Sequence, residues 1–235
     1  MMLEKIKAAK SKNQKLLAIL IDPDRFDENM LNSIENANPD FVFIGGSLIT
    51  EGGFEKRVAE IKAKLKRPLI LFPGHPSQVT PHVDSVLFLS LISGRNPDLL
   101  IGQHVVAAPR IKELGLETIA TGYILIDGGK PTTASYISGT QPIPRDKANI
   151  AAATAMAGEM LGLQCIYLDA GSGASLAIPT DLIRAVSANT QIPLIVGGGI
   201  RTKEQIRSAF DAGADLVVIG TAIEEQPDLL ASLLA

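Results

Sequence analysis

Two glycine clusters have the residue types and positions that most directly suggest binding chemistry. Gly197–Gly199 and Gly220-Thr221 each follow a short apolar run that is typical of a buried strand. Glycines let backbone N–H groups approach an anion, and a helix that follows presents the positive end of its dipole. A lone glycine after a strand is more often a turn residue, but two clusters at these positions predict a phosphate site.

Asp22 and Ser47 are a second pair of residues at the ends of apolar runs. They occur in Asp22-Pro23-Asp24 and Gly45-Gly46-Ser47. Mg²⁺ prefers hard oxygen ligands and commonly takes one or two from the protein, with substrate phosphate oxygens and waters completing its shell. The pair therefore suits a metal-bridged diphosphate. An equally good interpretation is that each residue caps the helix that follows it.

A phenol and a carboxylate lie two residues apart in Tyr167-Leu168-Asp169, ahead of a flexible loop. Side chains two apart on a strand point to the same face, so Tyr167 and Asp169 can share a site. Asp169 can accept a proton from a substrate hydroxyl, and Tyr167 can orient that hydroxyl. The alternative is that Asp169 caps the next helix. The three histidines show no metal-ligand spacing, and His104 is interpreted as a structural or surface residue.

Composition excludes several classes of protein. The net charge is only -3, which argues against nucleic-acid binding through a broadly basic surface. The single cysteine, Cys165, lies in an apolar run and predicts a core residue of a reduced, cytoplasmic protein. The first residues alternate charged and apolar types, unlike a signal peptide, and no apolar stretch is long enough to span a membrane.

Short β-branched apolar runs alternate with segments of helical periodicity, the pattern of parallel strands buried on both faces. Eight such runs predict a single (β/α)8 barrel, an α/β TIM-barrel domain over residues 1–235, with active-site residues at the carboxyl ends of its strands. The predicted strands are Leu16–Ile21, Phe41–Ile44, Leu69–Phe72, Ser85–Leu89, Thr118–Ile124, Cys165–Leu168, Pro193–Val196 and Leu216–Ile219.

The connections between strands predict a modified barrel. Phe54, Val58, Ile61 and Leu65 keep helical spacing and predict one outer helix. A second set with that spacing predicts another: Ile150, Thr154, Ala157 and Leu161. After strand three, residues 74–81 are short and proline-rich, so the helix there is expected to be missing or vestigial. Residues 127–145 after strand five form a long connection and a candidate lid.

Taken together and in order, these motifs resemble one family along essentially the whole chain: the geranylgeranylglyceryl phosphate synthases and their heptaprenylglyceryl phosphate synthase relatives. The motifs are Ile21–Asp24, Ile44–Ser47, Gly122–Leu125, Tyr167–Gly173, Val196–Arg201 and Gly220-Thr221. The resemblance implies a prenyltransferase on a modified barrel. It would join an allylic prenyl diphosphate to the C3 hydroxyl of sn-glycerol 1-phosphate, forming an ether and releasing diphosphate, the first ether step of archaeal-type membrane lipid synthesis.

The resemblance also implies roles for individual residues. Asp22 and Ser47 match positions that hold Mg²⁺, the implied cofactor, while Asp169 and Tyr167 would be catalytic. Glycerol 1-phosphate would bind to Tyr167, Leu168, Asp169, Ala170, Gly171, Ser172, Gly173, Gly197, Gly198, Gly199, Gly220 and Thr221. The family mostly has Glu where this chain has Asp169, so the shorter side chain is expected to act through a water molecule or on a shifted substrate.

The prenyl tail requires a long apolar channel. Leu100, Ile101, Val105 and Tyr123 are candidates for its wall, although core packing would use the same residue types. The segment Leu91–His104 is more similar to the geranylgeranyl branch, which implies a C20 donor. The resemblance further implies a homo-oligomer, either a dimer or a hexamer, with peripheral membrane contact at most.

Two other functions remain open from the sequence. A sugar-phosphate isomerase or epimerase would explain the glycines after strands seven and eight equally well. It would not require the Asp22 and Ser47 pair, the loop after Tyr167 or an apolar channel. A non-catalytic barrel that binds a phosphorylated ligand or a protein partner is the third possibility, for which neither Mg²⁺ dependence nor diphosphate release is expected.

Overall fold

The computed structural model describes residues 1–225 and residue 230. Its eight parallel strands form a closed barrel in sequence order. The barrel is the predicted one, and no strand end differs from its predicted position by more than two residues. The strands are β1 (Leu16–Ile21), β2 (Phe41–Ile44), β3 (Leu69–Leu71), β4 (Ser85–Leu91), β5 (Glu117–Leu125), β6 (Cys165–Asp169), β7 (Leu194–Gly197) and β8 (Leu216–Ile219).

Helices connect the strands and surround the barrel. They are α1 (Met2–Ser11), α2 (Glu28–Ala37), α3 (Phe54–Lys64), α4 (Gln103–Glu113), α5 (Thr133–Ser138), α6 (Ala148–Met160), α7 (Thr180–Asn189), α8 (Lys203–Asp211) and α9 (Thr221–Glu225). A π-helical turn, Asp98–Gly102, leads into α4. The domain expected over residues 1–235 includes 226–229 and 231–235, which lie outside the described residues.

The connection between β3 and β4 has no α-helix, as the prolines predicted. It contains only the 3-10 turn Pro76–Gln78. The Gln78 side chain donates from Nε2 to the carbonyl of Gly46 at 3.0 Å and accepts from the N–H of Gly74 at 3.0 Å. This loop is therefore held against the end of β2, and the outer face of β3 and β4 is left without a full helix.

The core has two layers, as alternation along buried strands requires. Phe41, Phe43 and Tyr167 fill the barrel interior, while residues such as Leu168 pack between the sheet and the helices. Cys165 is fully buried, and burial raises the pKa of its thiol to about 12. The prediction that this cysteine is a core residue is confirmed.

Helix α1 covers the end of the barrel where the strands begin. Its buried residues Leu3, Ile6 and Ala9 belong to the same cluster as the barrel interior. The N–H groups of Met2 and Leu3 donate to the Glu117 carboxylate at 2.7 and 3.0 Å. The opposite end, where the strands finish, is the end at which the main pocket lies.

Helix α6 is present where it was predicted, but the predicted buried face was wrong. Ile150 and Leu161 are 45% and 80% exposed, and the buried face consists of small residues: Ala151, Ala152, Ala155 and Gly158. A methyl group added to Gly158 would lie 2.8 Å from the Ile92 side chain. The helix thus packs closely on the sheet through its smallest residues, and its larger ones face outward.

Candidate functional site

A pocket of about 440 Å³ lies at the carboxyl ends of the strands. This volume is within the usual range for small-molecule sites. The pocket brings together most of the residues that the sequence singled out. They are Asp22, Ser47, Tyr123, Tyr167, Asp169, Gly171, Ser172, Gly173, Gly198, Gly199, Gly220 and Thr221.

Three residues of the predicted glycerol phosphate set lie just outside the pocket lining. The Leu168 side chain faces the helices because it alternates with Tyr167 and Asp169. Ala170 is buried and donates its N–H to the carbonyl of Gly197 at 3.1 Å. These residues therefore support the pocket wall and do not form its surface.

Asp169 is the buried carboxylate of the pocket. Its Oδ1 accepts a 2.8 Å hydrogen bond from the N–H of Gly171, and its Oδ2 accepts a 2.5 Å hydrogen bond from the hydroxyl of Tyr123. Burial raises the pKa of Asp169, and these two hydrogen bonds act in the opposite direction. Ten residues separate the end of β6 from α7, which is preceded by Pro179, so Asp169 does not cap that helix.

Tyr167 lies beside Asp169 on the inner face of β6, as alternation predicted. Its ring stacks on Phe72 at a centroid distance of 5.2 Å and meets the edge of Tyr123 at 5.6 Å. A methyl group at Gly197 would lie 2.6 Å from the Tyr167 hydroxyl oxygen. Glycine at this position therefore leaves room for the phenol.

The turn after β7 requires glycine for two reasons. Gly198 and Gly199 have φ angles of +81° and +69°, which disfavour any other residue. A methyl group at Gly198 would lie 2.6 Å from Oδ1 of Asp169. One at Gly199 would lie 2.4 Å from the carbonyl oxygen of Leu176. The backbone of this turn therefore lies directly against the Asp169 carboxylate and the loop after β6.

The loops after β6 and β8 are tied together by hydroxyl groups. The Thr221 Oγ1 accepts from the N–H of Gly173 at 3.2 Å and lies 3.2 Å from the Ser172 Oγ. Helix α9 begins at Thr221, so its first-turn N–H groups lie at the same edge of the pocket. Glycine backbone, hydroxyls and a helix start thus converge on one region that suits an anion.

The structure removes the capping alternative for Asp22 and Ser47. Asp27 caps α2, with its side chain accepting from the N–H of Met30, and Gly53 precedes α3. Burial raises the pKa of Asp22, which accepts from the N–H of Asp24 through Oδ1. Its Oδ2 lies 3.9 Å from Nε of Arg25.

Asp22 and Ser47 offer only two side chains as ligands, so they suit Mg²⁺ only if substrate oxygens complete its coordination. Within residues 1–225 and 230, no group of three His, Cys, Asp or Glu side chains is arranged to hold a metal. A carboxylate and a hydroxyl that line the same pocket as the anion region nevertheless match the chemistry of a metal that keeps waters and binds phosphate oxygens.

The apolar part of the pocket extends outward between β4 and α4, beneath the connection that lacks a helix. Its walls include Val79, Val86, Phe88, Ala107 and Ile111. Ala107 and Ile111 were not among the residues predicted from the sequence. Their i, i+4 spacing on α4 and the missing helix after β3 were the signals that could have found them. The apolar cavity follows from that missing helix.

Three of the four residues proposed for the channel wall do not line this cavity. Ile101 and Val105 are 60% and 66% exposed, and half-buried Leu100 does not line the pocket either. The reason is the orientation of α4 about its own axis: the face that carries Ala107 packs toward the sheet, and the face that carries Val105 is turned toward solvent. Tyr123 does line the pocket, but it lies inside the barrel beside Asp169.

His104 is a buried member of the pocket wall. Its ring meets the edge of Phe88 at 4.4 Å, and its Nε2 lies 3.2 Å from the Ser90 Oγ. Burial lowers the pKa of His104, so the ring is neutral at neutral pH. The interpretation of His104 as structural is compatible with these contacts, but the residue also faces the apolar cavity.

The long connection after β5 forms part of the pocket. Thr132 caps α5 through a capping box with Ser135, and Thr132 packs where a Gly171 side chain would lie. Arg145 donates to the carbonyls of Asp127 and Ala177, both at 2.9 Å, and holds the base of the connection. Helix α5 lines the pocket, but its movement as a lid stays a prediction.

Comparison with known proteins identifies the relatives of this chain. A sequence model described as the PcrB family matches residues 9–234. A geranylgeranylglyceryl phosphate synthase of Chitinophaga pinensis is 49% identical, over 94% of this chain and 89% of that protein.

Solved structures point the same way. A crystal structure of (S)-3-O-geranylgeranylglyceryl phosphate synthase from Thermoplasma acidophilum, in complex with its substrate sn-glycerol-1-phosphate, is 30% identical. It matches with a TM-score of 0.92, covering 100% of this chain and 96% of that one. An N-acetylmannosamine-6-phosphate 2-epimerase from Clostridium perfringens matches at 14% identity with a TM-score of 0.60, over 100% of this chain and 96% of that one. That second likeness shows the barrel fold alone.

In the part of the chain that the structure describes, no helix is both long enough and apolar enough to cross a membrane.

Proposed function

The chain belongs to the PcrB family, and we propose that it is a geranylgeranylglyceryl phosphate synthase, a prenyltransferase that makes an ether from a prenyl diphosphate and sn-glycerol 1-phosphate. One observation supports this proposal above the others. A single pocket joins a buried carboxylate and glycine-rich anion region to an apolar cavity. A sugar-phosphate isomerase would have no use for that cavity.

Glycerol 1-phosphate would bind with its phosphate at the glycine backbone after β7 and β8. The left-handed turn at Gly198-Gly199 and the start of α9 at Thr221 supply N–H groups without a basic patch. The bonds from Thr221 to the loop after β6 fix the distance between this region and Asp169. The C3 hydroxyl would then face the carboxylate.

Asp169 would act as the general base. It accepts the proton of the C3 hydroxyl while the hydroxyl oxygen forms a bond to the allylic carbon, and the bond from that carbon to the diphosphate oxygen breaks. Burial raises the pKa of Asp169 and so makes it a better proton acceptor than an exposed carboxylate. Tyr167 would orient the hydroxyl from the same strand face.

The diphosphate would lie at the edge of the pocket formed by Asp22 and Ser47. When bound there, Mg²⁺ would neutralise the charge of the leaving diphosphate. Asp22 and Ser47 would hold it in place from the ends of β1 and β2. Nearby Arg25 lies at the same edge and adds a positive charge close to Asp22.

The prenyl tail would occupy the cavity between β4 and α4. Its walls are aliphatic and aromatic, with neutral His104 as the polar group beside Phe88. The names of the relatives support geranylgeranyl diphosphate as the donor, in agreement with the resemblance of the Leu91–His104 segment.

A product assay tests the proposal. Labelled sn-glycerol 1-phosphate is incubated with Mg²⁺ and either geranylgeranyl or heptaprenyl diphosphate, with sn-glycerol 3-phosphate as the stereochemical control. We expect a prenyl ether only from the 1-phosphate, and more of it from the C20 donor. If neither donor yields an ether, the proposal is wrong, and the chain would be a phosphate-binding barrel with another activity.

We further propose that the protein is a homo-oligomer, a dimer or a hexamer. Exposed apolar side chains on α4 and at the end of α6 support this, among them Val105, Val106, Met160 and Leu161. Light scattering coupled to size-exclusion chromatography tests it. A monomeric mass at micromolar concentration would contradict the proposal.

A further inference from the structure

The inference that the structure supports beyond the reaction itself concerns Tyr123. This residue is on β5, and the barrel register pairs it with Tyr167 on β6. Its hydroxyl reaches two residues further along β6 and donates to Oδ2 of Asp169 at 2.5 Å. The sequence motifs place the catalytic phenol at Tyr167, but the hydrogen bond to the carboxylate comes from the neighbouring strand.

Both oxygens of Asp169 are held from fixed positions. The N–H of Gly171 donates to Oδ1, and the Tyr123 hydroxyl donates to Oδ2. Because Asp169 is only 6% exposed, water has little access to replace either donor. A short hydrogen bond to a charged acceptor is among the stronger ones in proteins, so it strongly restrains the plane of the carboxylate.

The Tyr123 ring is itself held by aromatic neighbours. Its centroid is 5.8 Å from that of Phe72 and 5.6 Å from that of Tyr167, both in edge-to-face arrangements. These contacts restrict ring rotation and point the hydroxyl at Asp169. The phenol is a rigid donor, unlike a serine hydroxyl on a mobile loop.

Tyr167 makes a different contact. Its hydroxyl lies against Gly197, at 2.6 Å from where a methyl group there would be. The two hydroxyls therefore make different contacts: that of Tyr123 donates to the carboxylate, and that of Tyr167 lies against the glycine turn. The two rings touch, so only a change that removes the Tyr123 hydroxyl and keeps its ring leaves the contacts of Tyr167 in place.

We infer that Tyr123 is a positioning residue: its hydroxyl fixes the orientation and the basicity of Asp169 for proton transfer from the glycerol hydroxyl. This inference rests on the proposed function. The short aspartate side chain is held in place by a donor on the adjacent strand.

The ionisable groups that face Asp169 are the phenol of Tyr123 on β5 and the phenol of Tyr167 on β6, while β7 presents the glycine backbone at Gly198. The hydrogen bond from Tyr123 lowers the pKa of Asp169 against the larger effect of burial. Loss of the hydroxyl must therefore raise that pKa, and the acidic limb of the rate profile must move to higher pH.

The variant that tests the inference is Tyr123→Phe, which keeps the ring. We expect kcat to fall by roughly 10–100-fold, in line with loss of one hydrogen bond to a charged group, with little change in KM for glycerol 1-phosphate. The acidic limb of kcat/KM should move upward in pH. Tyr136→Phe is the matched control, because Tyr136 is 84% exposed and, unlike other residues of α5, does not line the pocket. It should leave both quantities unchanged.

A double-variant comparison separates action through Asp169 from general damage. If Tyr123 acts through the carboxylate, then adding Tyr123→Phe to Asp169→Asn should cost almost nothing more in kcat. Independent losses that multiply would overturn the inference. An unshifted acidic limb in the single variant would overturn it as well.

A measurement without turnover distinguishes failure of this inference from failure of the proposed function. In wild-type protein with ring-labelled tyrosine, infrared difference spectra should show one phenol C–O band that shifts as a buried carboxyl titrates. Asp169→Asn should abolish that shift and Tyr136→Phe should not. This measurement can be made even if the protein forms no prenyl ether. It also does not depend on whether a Tyr123 variant folds. If the frequency of no phenol C–O band changes as the carboxyl titrates, the inference is overturned.

Discussion

The pocket has two sides that are built in different ways. Beneath the ends of β6, β7 and β8, its surface is glycine backbone pressed against a buried carboxylate, with no space for a methyl group at Gly198 or Gly199. Between β4 and α4, its surface consists of apolar side chains such as Phe88 and Ala107, beneath a connection that has no helix.

Because of this difference, the two sides of the pocket should respond differently to amino-acid substitution. Backbone cannot move aside, so substitutions on the glycine side should cause large, all-or-none losses. Side-chain walls can repack, so substitutions on the apolar side should cause graded changes. Under the proposed function, recognition of the glycerol phosphate would be fixed, and selection of the prenyl tail would be adjustable.

The sharpest test of the glycine side is Asp169→Asn. We expect kcat to fall by roughly 10²–10⁴-fold, because the general base is removed while the shape is kept. In the wild type, kcat/KM should fall as pH drops through the raised pKa of Asp169, since the protonated carboxyl cannot accept a proton.

The same variant should not cost stability. Folding raises the pKa of Asp169 above its ordinary 3.8, so the wild type loses stability as pH rises from about 3.8 to the folded-state value. Asn cannot ionise, so the Asp169→Asn variant does not lose stability over this pH range. Thermal melting at neutral pH should therefore show an equal or higher Tm, and a markedly lower Tm would contradict this account of the buried charge.

The next largest effect is expected from Gly198→Ala. The added methyl would lie 2.6 Å from Oδ1 of Asp169, on a backbone with φ of +81°. A misplaced carboxylate should cost on the order of 10²-fold in activity. Gly162→Ala is the matched control, because its φ is +88° with no atom within 4 Å, so backbone strain of about 1–2 kcal/mol is all it should show. An equal loss of activity in the two variants would contradict the idea that the close contact of Gly198 with Asp169 matters.

Asp22→Asn probes the edge between the two sides. It should raise the Mg²⁺ concentration for half-maximal activity by roughly 10–100-fold, and removal of the metal with a chelator should stop turnover. Asp27→Asn removes the same charge at the start of α2, where Asn is also a good cap, and should leave the Mg²⁺ dependence unchanged. A parallel shift in both variants would indicate a general charge effect.

Ala107→Phe tests the apolar side and should have the smallest effect. The larger side chain should reduce kcat/KM for a C20 donor relative to a C10 donor by roughly tenfold, because it fills space needed by the longer tail. Ala108→Phe is the neighbouring control, since Ala108 is exposed on the same helix and does not line the pocket. An equal decline with both donors would mean that the tail binds elsewhere.

The glycine side was largely predictable because its signals are local. Tyr167 and Asp169 share a strand face by simple alternation, and Gly198 and Gly199 directly follow an apolar run. The missing helix after β3 was equally local, since prolines exclude a helix from their own segment. Barrel closure followed from the number of strands.

The other features depend on contacts between distant segments. Tyr123 and Asp169 are 46 residues apart, and only the register of β5 against β6 brings them together. The exposed faces of α4 and α6 were misassigned because helical spacing alone does not say which face packs on the sheet. For α6, the buried face consists of small residues, and these allow the helix to approach the sheet closely.

Helix α1 has a consequence for the order of folding. Its contacts join residues separated by 115 positions at Glu117 and by 205 positions at Asp215. Contacts of such separation form slowly, because the intervening chain must first be arranged. Segment α1 is made before every strand, yet it can be seated only after β5 and β8 exist. Its apolar face must therefore stay uncovered while the rest of the barrel is synthesised, which exposes the nascent chain to aggregation through this segment.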